Sequence, residues 1–226
     1  MQPKILFEDN HLLAVVKPQG IAVQKNDAAS NDDFQSILKD LLKKKYNKPG
    51  NVFLGIVHRL DQPVGGVMVF AKTSKAASRL SEQIRRNIWK KCYLAVVDGV
   101  PKQKKGVLED YLVKNEATNE VFVSKKEDPK AKFARLFYET LETCGNRSLL
   151  KISLETGRAH QIRVQLSSRG LPIVNDHKYN KNVQTGSDIA LWAYSLEIEH
   201  PVTKEKLVFS EEMPELLKKT VTEGRK

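Results

Sequence analysis

Short apolar segments separated by polar turns are the feature that most constrains how this chain can fold. Residues 5–7 and 12–16 flank a polar turn, and residues 53–57 and 67–71 flank a loop that contains Pro63. Apolar runs of this length, bounded by turn-forming residues, are typical of short β-strands. Because short connections join neighbouring strands in an antiparallel arrangement, the sequence predicts a sheet that is mostly antiparallel.

Apolar residues at helical spacing predict a small number of helices among these strands. The predicted helices lie at residues 34–42, after a Ser74 cap, at about 160–168 and near 213–217. Asn31 to Asp33 are candidate N-caps of the first helix, and Gly170 is the expected stop of the third. Since strands outnumber helices, the sequence predicts one α+β domain over residues 1–226.

The chain is strongly basic, with a formal net charge of +11 from 38 Lys and Arg against 27 Asp and Glu. An excess of this size favours polyanionic partners, because it raises the local phosphate concentration and the encounter rate. It carries no information about the fold.

Composition also excludes several classes of protein. No apolar run approaches the roughly 18–20 residues that a membrane span needs. Residues 1–9 lack the zones of a signal peptide, so the predicted location is the cytoplasm. Cys92 and Cys144 have no spacing typical of a zinc ribbon or a disulfide framework.

The loop before residues 67–71 carries the first candidate for chemistry. It reads His-Arg-Leu-Asp at residues 58–61 and continues through Pro63 to a glycine pair at residues 65–66. An isolated aspartate in such a loop is usually a turn residue or one half of a surface ion pair. Proline and glycine, however, fix an unusual backbone and clear space for a ligand. Asp61 is therefore a candidate reactive side chain on a rigid frame.

A second compact polar cluster follows later in the chain. It reads Glu-Thr-Gly-Arg-Ala-His-Gln-Ile-Arg at residues 155–163. One interpretation is a helix N-terminus that Thr156 caps, with the arginines bound to phosphate or solvent. The other is a catalytic role for Arg158, because an ionised carboxylate in a dry pocket needs a cationic partner. This cluster alone leaves both interpretations open.

Together the two segments resemble the signature of the RluA-type pseudouridine synthases, which isomerise uridine in structured RNA. In that family His-Arg-Leu-Asp is followed by two variable residues, by Thr-Ser-Gly and by an apolar strand that ends in Phe-Ala-Lys. This chain matches at residues 58–61, at Gly66 and at residues 70–72, and it has Val64 and Gly65 in place of Thr-Ser. The departure removes two hydroxyls that can pin a loop.

Four further segments resemble the family's motifs in the same order. They lie at residues 16–20, 91–99, 172–179 and 191–201, where Asn175 stands for a glycine and Trp192 for a histidine. Asparagine also tolerates a left-handed backbone, so the first of these changes is mild. The resemblance runs from about residue 5 to residue 210, which is more ordered agreement than chance would give.

The resemblance implies which residues carry the chemistry. Asp61 would be the catalytic carboxylate and Arg158 its cationic partner. Tyr93 would stack on the flipped base or assist proton movement near C5, while a half-buried strand tyrosine is the alternative. Whether Asp61 adds to the ring, attacks C1′ or removes a proton from C2′ stays open. Because uracil is detached from C1′ and rejoined through C5 without electron or group transfer, neither a metal nor a nucleotide cofactor is required.

The resemblance also implies how RNA is bound. Arg59 would enter the RNA helix and fill the space of a flipped uridine, with an ordinary surface arginine as the alternative. His58 is expected to support the loop, and Arg163 either to fix structure or to contact RNA. The candidate RNA-binding residues are Arg59, His58, Arg163, His160 and Lys17.

Residues 101–130 carry many lysines and are predicted to form hairpins with exposed, basic tips. These lysines either contact RNA or belong to a solvated charged rim. The candidates are Lys102, Lys104, Lys105, Lys125, Lys126, Lys130 and Lys132.

The sequence thus predicts a cofactor-independent RNA pseudouridine synthase that acts on tRNA or rRNA, with no membrane and no protein partner. Its fold is expected to have a mixed, mostly antiparallel sheet, flanking helices and a central basic cleft, without the S4-type domain of many relatives. The main rival is a catalytically inactive RNA-binding protein of the same fold. Metal-dependent hydrolysis has little support, because the spacing of the possible ligands His58, Asp61, His160 and His177 lacks a metal-binding pattern.

Overall fold

The computed structural model describes residues 2–24, 33–183 and 187–225. Its elements are β1 (Lys4–Glu8), β2 (Leu12–Lys17), α1 (Phe34–Lys45), β3 (Gly55–Ile56), β4 (Gly65–Ala71), α2 (Ser74–Arg85), β5 (Lys90–Asp98), β6 (Lys105–Asn115), β7 (Glu120–Ser124), β8 (Lys132–Cys144), β9 (Arg147–Leu154), α3 (Gln161–Ser167), β10 (Leu191–Glu199), β11 (Lys206–Ser210), α4 (Glu215–Lys219) and a final 3-10 turn (Thr222–Arg225).

The chain groups into two compact units. The first comprises Met1–Trp89 and Ser195–Glu211, and the second comprises Lys90–Tyr194 and Glu212–Lys226. Strand β10 begins in the second unit and ends in the first. The prediction that residues 1–226 act as a single domain stays a prediction.

In the first unit, antiparallel strands carry the core. Strand β2 pairs with β1 and with β4, and β3 also pairs with β4. All seven residues of β4 are buried, as expected of a strand that is covered on both faces. Helices supply the cover: Phe34 of α1 contacts Phe70, with 6.1 Å between ring centroids, and Leu80 of α2 packs with Val69.

The two helix starts of this unit show how local hydrogen bonds set element boundaries. The Asp33 carboxylate caps α1, as predicted, whereas residues 31–32 lie outside the described residues. Helix α2 is capped by Thr73, whose Oγ1 accepts a hydrogen bond from the Ala76 N–H at 3.1 Å. The prediction of Ser74 as the cap was wrong by one residue, because Thr73 has the extended backbone that a cap requires.

In the second unit, five strands pair in the order β5, β9, β8, β6, β7, each antiparallel to the next. Strands β6 and β7 form one of the predicted hairpins. Helix α3 is the helix predicted at about residue 160, and its Val164 packs with Leu112, Val121 and Ala134. The predicted α+β class and the mostly antiparallel sheet are therefore confirmed.

Within the described part of the chain, no helix is both long and apolar enough to cross a membrane.

Candidate active site

Asp61 lies half-buried in the loop between β3 and β4. The Val64 N–H donates to the Asp61 carbonyl oxygen at 3.0 Å, which closes a tight turn directly after the carboxylate. Val64 itself is 3% exposed, and Gly66 has a φ of 121°, a conformation that side chains rarely adopt. Val64 stands where the sequence departs from the family pattern, and Gly66 stands where it matches. Both residues shape the loop.

Hydrogen bonds from Lys17 hold this loop in place. Its side chain is fully buried, and Nζ donates to the carbonyl oxygens of Pro18 (2.9 Å), Ile21 (2.7 Å) and Gln62 (3.1 Å). Because Gln62 directly follows Asp61, these bonds tie the loop to residues 18–21. Burial lowers the pKa of the Lys17 ammonium to about 8, although the charge of Asp61 acts in the opposite direction.

His58 holds the N-terminal end of the same loop against β4. Its Nε2 accepts a hydrogen bond from the Val69 N–H of β4 at 3.0 Å, so this nitrogen carries no proton. The imidazole also meets the Trp89 ring edge-on, with centroids 5.1 Å apart. These contacts agree with the expected supporting role of His58. The neighbouring Arg59 is exposed.

Tyr93 lies in β5 of the second unit, where it is half-buried and opposite Ile152 of β9. Lys91 precedes it by two residues, opposite Leu154. Because side chains alternate along a strand, Lys91 and Tyr93 point to the same face of the sheet.

The polar cluster at residues 155–163 is held by a glutamine that sequence reasoning did not single out. Gln161 is 2% exposed. Its Oε1 accepts hydrogen bonds from Thr156 Oγ1 (2.8 Å) and from the Arg158 N–H (3.0 Å), and its Nε2 donates to the Arg135 carbonyl oxygen (3.1 Å). One buried amide therefore fixes the loop that carries Arg158.

Thr156 does not cap α3, so the cap predicted in the first interpretation of this cluster is wrong. The N-cap position is His160, with a φ of 50° and no side-chain cap. Thr156 Oγ1 instead accepts from the Arg135 N–H of β8 at 2.8 Å. Arg158 is exposed, and its Nε donates to the Phe133 carbonyl oxygen at 2.8 Å. This bond anchors the guanidinium through Nε.

Arg163 is buried in an ion pair with Asp176. Its Nε and Nη2 donate to the two carboxylate oxygens at 2.8 and 2.7 Å, and the two residues are 5% and 0% exposed. Of the two expected roles of Arg163, this geometry favours the structural one.

Hydrogen bonds connect Val121, Tyr179 and His160. The Val121 N–H donates to the Tyr179 hydroxyl at 2.8 Å, and the same hydroxyl lies within hydrogen-bond distance of His160 Nδ1, 2.7 Å away. The Arg163 guanidinium lies 5.1 Å from the centre of the Tyr179 ring. His160 is thereby oriented through Nδ1, and its expected contact with RNA stays a prediction.

The predicted basic rim is exposed throughout. All seven lysines proposed for it are exposed, and Lys105 pairs with Glu139 at 2.9 Å. Among the residues that the structure describes, no group of three or more His, Cys, Asp or Glu side chains is placed to hold a metal ion.

The sequence also matches a known protein family. A family model described as RNA pseudouridylate synthase matches residues 11–168, which include the Asp61 loop, Tyr93 and the cluster at residues 155–163.

Curated relatives match most of the chain. It is 32% identical over 213 residues to the uncharacterized RNA pseudouridine synthase YhcT of Bacillus subtilis, covering 93% of this chain and 68% of the relative. It is 33% identical over 224 residues to the ribosomal large subunit pseudouridine synthase D of Zymomonas mobilis, covering 94% and 69%. The ribosomal large subunit pseudouridine synthase C of Pasteurella multocida is 35% identical over 215 residues, covering 92% and 63%.

Solved structures show the same fold. Human RNA pseudouridylate synthase domain containing 4 superposes with a TM-score of 0.81 at 24% identity, covering 98% of this chain and 93% of that chain. Human RNA pseudouridylate synthase domain containing 1 gives a TM-score of 0.77 at 20% identity, covering 94% and 84%.

Proposed function

Because the chain belongs to the RNA pseudouridylate synthase family, whose members are RNA isomerases, we propose that it converts specific uridines of structured tRNA or rRNA to pseudouridine with Asp61 as the catalytic carboxylate. The observation that carries this proposal is the fastening of the Asp61 loop. Lys17 Nζ holds the carbonyl of the next residue, and His58 holds the other end to β4. A catalytic group must be held in place in this way to act efficiently.

The reaction requires few catalytic groups. The N1–C1′ bond breaks, uracil turns, and a new bond forms between C5 and C1′; the C5 proton is released to solvent while N1 takes up a proton. One ionised carboxylate that acts as base or nucleophile suffices for these steps. Asp61 is this carboxylate. Arg158 supplies the positive charge that favours the ionised form of Asp61, and Tyr93 stacks on the uracil ring.

Access to the base is a separate requirement. A uridine inside a stacked helix is out of reach, and its extrusion costs roughly a few kcal/mol. Arg59 is exposed on the same loop as Asp61, and its planar guanidinium replaces part of the missing stacking. We assign it the space that the flipped uridine vacates.

Tritium release tests the proposal directly. RNA labelled with tritium at C5 of uridine loses its label only when the new C5 bond forms. We expect release by the natural protein, and a loss of at least about a hundredfold for Asp61→Asn, which keeps the shape of the side chain but not its basicity. Separate pools of tRNA and large-subunit rRNA identify the substrate class.

The binding of RNA is the control for this experiment. Asp61→Asn should bind the labelled RNA as the natural protein does, since the substitution leaves the cationic groups in place. Normal tritium release by Asp61→Asn would remove Asp61 from the mechanism. Tight binding without release from any pool would favour the rival function, an RNA-binding protein without catalysis.

A further inference from the structure

Two glutamines exchange hydrogen bonds between the Asp61 loop and the turn that follows β2. Gln19 Nε2 donates to the Pro63 carbonyl oxygen at 3.2 Å, and Gln62 Nε2 donates to the Gly20 carbonyl oxygen at 3.1 Å. Each segment thus gives the other one side-chain donor and one main-chain acceptor. Both bonds meet the loop within two residues of the Asp61 carboxylate.

The turn after β2 is itself held in a defined conformation. Gly20 has a φ of 78°, and a Cβ added to it would meet no atom within 4 Å. Its backbone therefore needs glycine for its conformation and not for want of space. Lys17 Nζ binds the carbonyl oxygens of Pro18 and Ile21 on either side. Gln62 consequently donates to a carbonyl oxygen whose position is fixed.

These amides lie where the chain departs from the family motif. The Thr-Ser pair of that motif carries two hydroxyls that can hold a loop, whereas the side chains of Val64 and Gly65 offer no hydrogen-bonding group. Gln62 occupies the first of the two positions that vary after His-Arg-Leu-Asp. Its amide is thus a feature of this chain and not of the shared motif.

We propose that Gln19 and Gln62 are positioning residues for the Asp61 carboxylate, and that they replace the two missing hydroxyls in holding its loop. They bind the main chain on both sides of the turn and so limit the directions in which the carboxylate can point. A displacement of about 1 Å at a catalytic group can lower a rate about a hundredfold. The inference rests on the proposed function for the role of Asp61, but the hold on the loop can be measured without turnover.

The first test compares the rate of tritium release with RNA affinity in the double variant Gln19→Met with Gln62→Met. Methionine keeps the length of the side chain and removes the donor. We expect release at saturating RNA to slow about tenfold, while the affinity measured by fluorescence anisotropy stays within about twofold, since the groups that bind RNA are unchanged. An unaltered rate would overturn the positioning role.

Gln35→Met is the matched control. Gln35 Nε2 donates to the Leu54 carbonyl oxygen at 2.6 Å, so this change removes the same kind of bond in the same compact unit. It should lower stability without slowing release from saturating RNA, at temperatures where the protein is folded. A loss of rate as large as that of the double variant would mean that general destabilisation explains both, and would contradict the proposal.

The second test needs no activity. The Val64 N–H donates to the Asp61 carbonyl oxygen, so its exchange with deuterium, measured by NMR, reports how often this turn opens. We expect exchange to be about tenfold faster in the double variant than in the natural protein, and unchanged in Gln35→Met. Equal exchange in all three proteins would show that the glutamines do not hold the loop.

The proposed function and this inference fail separately. Tritium release by the natural protein, with a normal rate in the double variant, removes only the positioning role. Faster exchange at Val64, with no release from any RNA by the natural protein, removes the catalytic function and keeps the hold of Gln19 and Gln62 on the loop.

Discussion

Lys17 carries its charge inside the first unit, and its protonation is therefore coupled to folding. Burial lowers the pKa of its ammonium from 10.5 to about 8, against the opposing effect of Asp61. Between these values the unfolded chain binds more protons at this site than the folded chain does. Lys17 thus makes the free energy of unfolding rise with pH across this window, by at most about 1.4 kcal/mol per pH unit.

We expect Lys17→Met to remove this pH dependence. The free energy of unfolding of the natural protein, relative to that of the variant, should increase from about pH 8 to about pH 10. Urea denaturation at several pH values measures it. Lys43→Met changes an exposed lysine of α1 and should give a constant difference. A constant difference for Lys17→Met as well would show that the buried ammonium does not titrate in this range.

Single residues also show what the sequence can and cannot predict about the site. Asp61 and Arg158 could be singled out because their neighbours in the chain form a recognisable pattern. Gln161 could not, since a glutamine in the first turn of a helix is ordinary. Its importance comes from hydrogen bonds to residues on other elements, and only the fold brings these together.

At the scale of elements, α3 is joined to the segment after it by the Arg163–Asp176 pair. Arg163→Ala would leave the Asp176 carboxylate buried without its cation, and we expect a decrease in stability of about 3–5 kcal/mol. Urea denaturation measures the decrease. The double change Arg163→Met with Asp176→Leu should recover part of it, because no uncompensated charge then remains buried.

The same variants separate the two roles expected of Arg163. If the residue only fixes structure, RNA affinity per folded molecule should stay unchanged in the double variant, where the fold is restored. A stable double variant that binds RNA much more weakly would instead show that Arg163 contacts RNA. Anisotropy with labelled RNA, at temperatures where the protein is folded, decides between these outcomes.

Elements were predicted from the sequence better than the connections between them. The apolar runs at residues 12–16 and 67–71 gave strands β2 and β4, because burial on both faces leaves a continuous apolar run. The register shift in β8 between Thr140 and Glu142 has no local signal, since pairing with β9 decides it. Asn175 has a φ of 60°, which explains how it replaces the family's glycine.

For the whole molecule, the net charge of +11 predicts that RNA binding is led by phosphate contacts. Each phosphate that a cation neutralises releases counterions, so affinity falls as salt rises. For about six such contacts, the affinity should drop by roughly a thousandfold between low and moderately high salt. A flat response in an anisotropy titration would argue against phosphate-led recognition.

The distribution of this charge makes a sharper prediction than its sum. Lys125 and Lys126 are adjacent, exposed lysines after β7, in the rim that the sequence assigns to RNA, whereas Lys43 and Lys44 are an equally exposed pair on α1. Both double alanine variants lower the net charge by the same amount. If the rim binds phosphate, only the change at Lys125 and Lys126 should lower the salt slope, by about one for each phosphate that is no longer neutralised. Equal slopes for the two variants would mean that these lysines act only through the overall field, because long-range attraction does not depend on which surface lysine supplies the charge.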